Sequence, residues 1–338
     1  MRSLLIVALA VFAVAPQDPP PPQPRSPSQP SFSEFLEGVR AEALTRGIRQ
    51  ETVDEAFANL SEPIAAVIDR DRAQPETVLT LEGYLSRVVT DRRMTTAGEM
   101  FVRHGQLLNQ VGERYNVSPR IIVAAWGLES NFGQTSGTQP IIAALATLAW
   151  DTRRPTLFRR ELFNALEILN RGDVELANMR GSWAGAMGQP QFMPSSFLSF
   201  AQDFDGDGRR DIWSSPADVF ASIANYLQKN HWADGERWGR EVTVSAEAAG
   251  RIATEVERRS GSCQARRAMT VALPMARWQE LGVRLPGGRA LPSSALDAAL
   301  VSGASRQFLV YRNYDALLEY NCAHSYAISV GLIADSIP

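Results

Sequence analysis

A single glutamate carries the strongest chemical signal in this sequence, in the run Trp126-Gly127-Leu128-Glu129-Ser130-Asn131-Phe132-Gly133. It falls near the C-terminal end of a segment, 119–130, in which Ile121, Ile122, Val123, Ala124, Ala125, Trp126 and Leu128 are apolar on nearly every side. Such a helix sits at the centre of a fold, so a carboxyl group on it faces both desolvation and the negative end of the helix dipole. Both disfavour the charged form, and a carboxylic acid kept protonated near neutral pH is a general acid. A solvated or arginine-paired glutamate is the ordinary alternative. Gly127 and Gly133 are expected to leave room for a ligand or a backbone to approach.

Other residues suit a polar ligand. The stretch 181–196 is rich in small and amide side chains, and Gln191 offers the donor and the acceptor that sugar amides and hydroxyls require. Trp150, Tyr226, Tyr320 and Tyr326 are available as faces against which sugar rings pack, although any one of them serves equally well in a core. Arg153 and Arg154 match carboxylates, which a guanidinium pairs bidentately; a solvated pair is the alternative. Asp203, Asp205 and Asp207 occupy positions 1, 3 and 5 of an EF-hand-like loop, with Gly208 at position 6 and Arg209 following. Position 12 is Ser214 instead of the usual bidentate Glu, so the loop closes irregularly.

The elements that must position these groups are mostly helices. Apolar spacing of three and four begins at Phe32, Phe35, Leu36 and Val39. A helix is expected over 97–115, and another starts at Ser118-Pro119, a hydroxyl N-cap followed by proline at the first helical position. Texture changes over 240–310: residues 241–245 alternate like a strand, Pro and Gly cluster around 285–292, and 308–311 reads as a second strand. Helical spacing resumes over 314–332. The fold class is therefore mainly α with a small β-containing subdomain. The expected divisions are 32–110, an N-terminal helical region; 111–240, the core that carries Glu129; 241–311, the mixed subdomain; and 312–338, a C-terminal helical segment, which the resemblance set out below implies returns to the substrate groove.

Composition excludes several classes. The 338 residues are 45% hydrophobic and 21% charged, which is globular rather than disordered or fibrous. Lys and Arg total 34 against 37 Asp and Glu, a net charge of -3, so the basic field that nucleic-acid binding needs is missing. At the N-terminus, Arg2 precedes an apolar run over 4–15 that has the length of a signal-peptide core, and a tract of Pro, Gln and Ser over 16–31 reads as a tether. Pro16 directly after the small-residue site makes a retained signal anchor the alternative to cleavage. No cysteine follows the run, which argues against a lipidated N-terminus. Export to an oxidising compartment permits a Cys263–Cys322 disulfide, two separate thiols being the alternative.

Together these segments resemble the lytic murein transglycosylases of the membrane-bound B type. The resemblance runs from about Phe32 to the C-terminus and rests on the Glu129 and 181–196 segments, Ala144-Leu145-Ala146-Thr147-Leu148 followed by Arg153-Arg154, Ala224-Asn225-Tyr226-Leu227, and Tyr320-Asn321 with Tyr326. It implies a lysozyme-like helical core, joined to an added helical domain and a small β-containing subdomain, in a periplasmic enzyme acting on peptidoglycan glycan strands. Glu129 matches the family's single acid/base, and no catalytic cofactor is implied. Tyr84, Arg153, Arg154, Ser182, Gln191, Phe192, Met193, Tyr226, Tyr320, Asn321 and Tyr326 fall on positions that line the saccharide or peptide groove. A variant calcium loop is implied as well, closed by Asp218 or, alternatively, Asp211. The expected partners are glycan strands and proteins of wall synthesis, with the chain a monomer. A hydrolysing muramidase and a non-catalytic wall-binding protein are the competing readings.

Overall fold

Ser31 opens the first helix, Phe32–Thr45, with a reciprocal cap: its hydroxyl accepts from the Glu34 N–H while the Glu34 carboxylate accepts from the Ser31 N–H. The computed structural model describes residues 29–73 and 79–338, so the expected signal segment 1–15 and most of the 16–31 tether lie outside the described residues. Gln29 and Pro30, within the tether, are held by Trp150 through hydrogen bonds of 2.9 Å. No helix among the described residues is long and apolar enough to cross a membrane.

Three apolar cores follow. The first surrounds helix Pro119–Ser130, whose residues from Ile121 to Gly127 are all buried. Helices Asp91–Arg103, Gly105–Tyr115, Pro216–Lys229 and His324–Ser336 pack on it. Each large side chain so buried contributes roughly 1.5–3 kcal/mol. The second core is built from helices Phe32–Thr45, Gln50–Phe57, Ile141–Trp150, Pro155–Arg171 and Pro194–Phe200. Helix Ile141–Trp150 is apolar but for Thr147 and almost wholly buried there. Chain before residue 73 thus packs with the second core, whereas Leu85 and the segment from Ala97 to Phe132 pack with the first.

A four-stranded antiparallel sheet joins the first core to a third. Its order is Gly239–Val242, Gln307–Val310, Asp297–Ser302, Leu273–Pro274, with Gly239 opposite Val310 and Ala299 opposite the same residue. The two-residue period of a strand sorts its side chains. Ala298, Leu300 and Leu309 enter the third core beside Trp278, while Ala299, Val301, Phe308 and Val310 enter the first.

The helical content and the lysozyme-like fold match the sequence reading, and helix Pro119–Ser130 has the expected bounds. Three local expectations need correction. The 97–115 segment is two helices, interrupted at His104, because that ring packs edge-on against Trp126 at 5.7 Å and Phe220 at 5.4 Å. The 314–332 segment is also two, Arg312–Tyr320 and His324–Ser336, broken where Cys322 bonds Cys263. Ser118 occupies the N-cap position, but its side chain accepts no capping hydrogen bond.

Candidate active site

Helix Pro119–Ser130 carries Glu129 to the rim of the first core, where it is half-buried. Burial pushes its carboxyl up to about 7, and the nearby Tyr326 hydroxyl opposes this only in part. Among the described residues no other carboxylate contributes to the shift. Just beyond the helix, Asn131, Phe132 and Gly133 all adopt positive φ, at 50°, 59° and 79°. Three successive left-handed residues, two of them not glycine, turn the chain sharply away and hold the end of the helix in one geometry.

The two flanking glycines serve the protein rather than a ligand. A Cβ on Gly127 would lie 2.4 Å from the Phe132 ring, and one on Gly133 would lie 2.5 Å from the Gln189 Oε1. Gln189 was missed by the sequence reading. Its Oε1 accepts from Trp126 Nε1 at 2.7 Å and its Nε2 donates to the Trp213 carbonyl at 2.8 Å, so one buried amide fixes the Glu129 helix to the acidic loop region. The signal was its place in the amide-rich stretch, two residues before Gln191.

Tyrosines stand around Glu129. Tyr326 and Tyr320 stack at 6.0 Å, and Tyr320 meets Tyr226 at 4.6 Å. Burial first, and then the Glu129 carboxylate, push the Tyr326 and Tyr320 hydroxyls well above their ordinary value. Tyr84 is raised by the same two causes in the same order, with Arg93 opposing. Tyr226 rises to about 12, through burial and then Glu319. Two of these hydroxyls are committed: Tyr320 donates to the Pro190 carbonyl at 2.8 Å, and Tyr226 to the Glu319 carbonyl at 2.7 Å. The Tyr326 hydroxyl faces Glu129 without completing hydrogen-bond geometry, and is buried with no other partner among the described residues.

The remaining candidates are placed as follows. Phe192 is fully buried and backs the rings of Tyr226 and Tyr320 at 5.6 and 5.8 Å, and Met193 packs beside it in the second core. Gln191 sits at φ 52° with its amide donating to the Ser136 and Gly188 carbonyls, and its side-chain oxygen has no hydrogen-bond partner among the described residues. The Ser182 hydroxyl accepts from the N–H groups of Ala184 and Ala186 and so shapes a turn. Asn321 is exposed after helix Arg312–Tyr320. Arg153 and Arg154 are both tied to the buried Asp71, and Trp150 is engaged by Pro30 and the Phe32 ring.

In the acidic loop, carboxylate oxygens of Asp203, Asp205 and Asp218 converge within 4.8 Å of one another. Helix Pro216–Lys229 brings Asp218 in at its first turn, and the Ser215 hydroxyl at its N-cap donates to Asp205. Asp203 accepts three backbone N–H groups, from Gly206, Asp207 and Gly208. Asp207 lies outside the convergent set, its carboxylate accepting from the Arg209 N–H. Asp211 also lies outside it and caps the Trp213 and Ser214 N–H groups. Three hard oxygen donors at this separation fit a calcium ion, with the Arg209 carbonyl a further oxygen nearby in sequence.

One desolvated carboxylic acid under a wall of tyrosines, on the central helix of a lysozyme-like fold, has the protonation that a general acid needs. The chain belongs to the Transglycosylase SLT domain family, matched over residues 31–335. It is 36% identical over 155 residues to the membrane-bound lytic murein transglycosylase B of Escherichia coli K12, a match covering 46% of this chain and 43% of that protein. SltB3 of Pseudomonas aeruginosa, solved in complex with NAG-NAM-pentapeptide, superposes with a TM-score of 0.82 at 40% identity over 90% of this chain and 79% of its own. The Escherichia coli lytic transglycosylase Slt35, solved in complex with calcium, shares the fold with a TM-score of 0.72 at 24% identity, over 91% of this chain and 93% of its own.

Proposed function

We propose that the protein is a periplasmic lytic transglycosylase that cleaves the β-1,4 bond between N-acetylmuramic acid and N-acetylglucosamine in peptidoglycan and leaves 1,6-anhydro-muramoyl ends. The carrying observation is Glu129, whose carboxyl is raised to about 7 by burial with no second carboxylate acting on it. Ordinary glycosidases use a carboxylate pair. A lone acid suits a substrate that supplies its own nucleophile. Protonated Glu129 donates to the glycosidic oxygen, the C1–oxygen bond breaks with its electrons going to that oxygen, and the N-acetyl group of the muramoyl sugar assists. Glu129, now a carboxylate, takes the proton of the muramoyl C6 hydroxyl as that oxygen bonds to C1. Tyr84, Tyr226, Tyr320 and Tyr326 are the aromatic wall of the groove, with Ser182, Gln191, Phe192, Met193 and Asn321 shaping its floor and rim. Arg153 and Arg154 hold substrate carboxylates with the single charge that Asp71 leaves over.

Calcium at Asp203, Asp205 and Asp218 is structural in this reading, and catalysis itself needs no cofactor. The protein acts as a monomer on glycan strands and meets the wall-synthesis machinery there. Digestion of purified peptidoglycan tests the central claim, with products analysed by mass spectrometry before and after borohydride reduction. Non-reducible anhydro ends are expected from the protein and not from Glu129→Gln. Reducible ends would show hydrolysis instead, and no release by either protein would leave only wall binding.

A further inference from the structure

Helix Leu81–Val88 carries Tyr84 and is 8 residues long, too short to persist in water without tertiary support. Leu85 is buried in the first core and Leu81 packs against it. Two polar ties then act, one at each end. At the C-terminal end Arg93 Nη1 donates to the Val88 carbonyl at 2.6 Å. At the N-terminal end Glu82 reaches a distant part of the chain: its Oε1 accepts from the Ser305 N–H at 2.8 Å and the Arg306 N–H at 3.0 Å. Both N–H groups belong to the turn between strands Asp297–Ser302 and Gln307–Val310, which the Gly303 N–H closes by donating to the Arg306 carbonyl at 2.8 Å. The turn is itself held, because the Arg306 guanidinium pairs bidentately with Glu241 of the adjoining strand at 2.8 and 2.7 Å. The fit is close: a Cβ on Gly303 would stand 2.4 Å from Glu82 Oε1.

We propose that Glu82 is a positioning residue for the glycan groove: by fastening helix Leu81–Val88 to the 303–306 turn, it holds the Tyr84 ring where the sugar packs near Glu129. The inference rests on the transglycosylase reading above, in which Tyr84 is part of the aromatic wall. Tyr84 lies two residues from the tie, and its hydroxyl feels the Glu129 charge, so the ring stands within electrostatic reach of the acid. A carboxylate that accepts backbone N–H groups makes charge-assisted hydrogen bonds, stronger than those a neutral side chain offers. Glu82 itself meets only the turn and acts on the groove through Tyr84. The four-stranded sheet thereby becomes part of the frame of a groove to which its strands contribute no lining residue.

Steady-state turnover of soluble, uncross-linked glycan strands tests this, read as anhydro ends formed over a series of strand concentrations. Glu82→Ala should raise KM about tenfold, the contribution of one well-placed aromatic face, and leave kcat within about twofold. A merely structural role would reduce the amount of active protein, lowering kcat at an unchanged KM. Gly303→Ala puts a methyl group against the carboxylate oxygen; it should give the same rise from the side of the turn, and it carries the test if Glu82→Ala folds poorly. In a Tyr84→Ala protein KM is already raised, and adding Glu82→Ala should move it no further. An unchanged KM in either single variant, or a further rise of about tenfold in the Tyr84→Ala background, would overturn the inference. Failure of the transglycosylase reading shows separately, as absence of anhydro ends from the unsubstituted protein.

Discussion

At Glu129 a carboxyl group meets aromatic rings and one hydroxyl, and it holds its proton up to about pH 7. In the acidic loop the carboxylate of Asp203 meets three backbone N–H groups, and Asp205 takes the Ser215 hydroxyl. Asp218 lies between the two situations: it accepts from Phe204 and Asp211, yet burial, aided by Asp205 and Asp203, raises it to about 6. A fifth carboxylate, Glu82, shows the far limit. It takes the N–H groups of Ser305 and Arg306 and falls to about 2. The same functional group therefore becomes an acid, a cation ligand or a clamp according to the donors turned towards it.

The contrast is open to attack in order of expected effect. Glu129→Gln should lower anhydro-product formation by at least about 10³-fold, while Asp203→Asn leaves the pH dependence of the reaction unchanged; comparable losses from both would erase the distinction. The Glu129 substitution should also stabilise the fold at alkaline pH. Between its ordinary value of 4.5 and about 7 the folded state binds the extra proton, so stability falls as pH rises. Glutamine carries no such penalty, and urea unfolding should find the variant about 3 kcal/mol the more stable at pH 8, with the difference vanishing near pH 4.

Calcium added to a chelated sample at a hundred times its dissociation constant should stabilise by about 2.7 kcal/mol, read as a rise in Tm. Asp218→Asn should remove most of that rise, and an unchanged Tm would leave the loop an acidic turn. Glu82→Gln should cost about 2 kcal/mol at neutral pH, the worth of a hydrogen bond to a charged group. Its folded value is depressed, so this stability is present above about 4.5 and is lost as pH falls towards about 2. The smallest effect is that of Tyr326→Phe. Losing the one hydroxyl that opposes burial should move the alkaline limb of the pH–rate profile upward, and a downward move would contradict the assignment.

Much of this was legible in the sequence because periodicity reports which face is buried. The all-apolar 119–130 segment announced a central helix and hence the environment of Glu129, and alternation over 241–245 and 308–311 located the sheet within a few residues. What period cannot report is the identity of a distant partner. Phe132 and Gln189 filling the space at Gly127 and Gly133, Asp71 meeting two arginines some eighty residues on, and His104 stopping a helix to reach Trp126 are all decided by tertiary packing. Glu82 likewise looks like a surface helix residue until the 303–306 turn closes on it.

The Cys263–Cys322 bond spans 59 residues, and closing a loop of that length is worth about 4 kcal/mol. Cys322 lies two residues after Tyr320 and four before Tyr326. The bond thus staples the short helix Gln264–Ala268 to the turn from which both rings are presented to Glu129. A newly made chain in a reducing compartment must hold those rings by packing alone, and it gains the staple only on oxidation. The brace behind these rings is in this sense conditional on the redox state of the compartment that holds the protein.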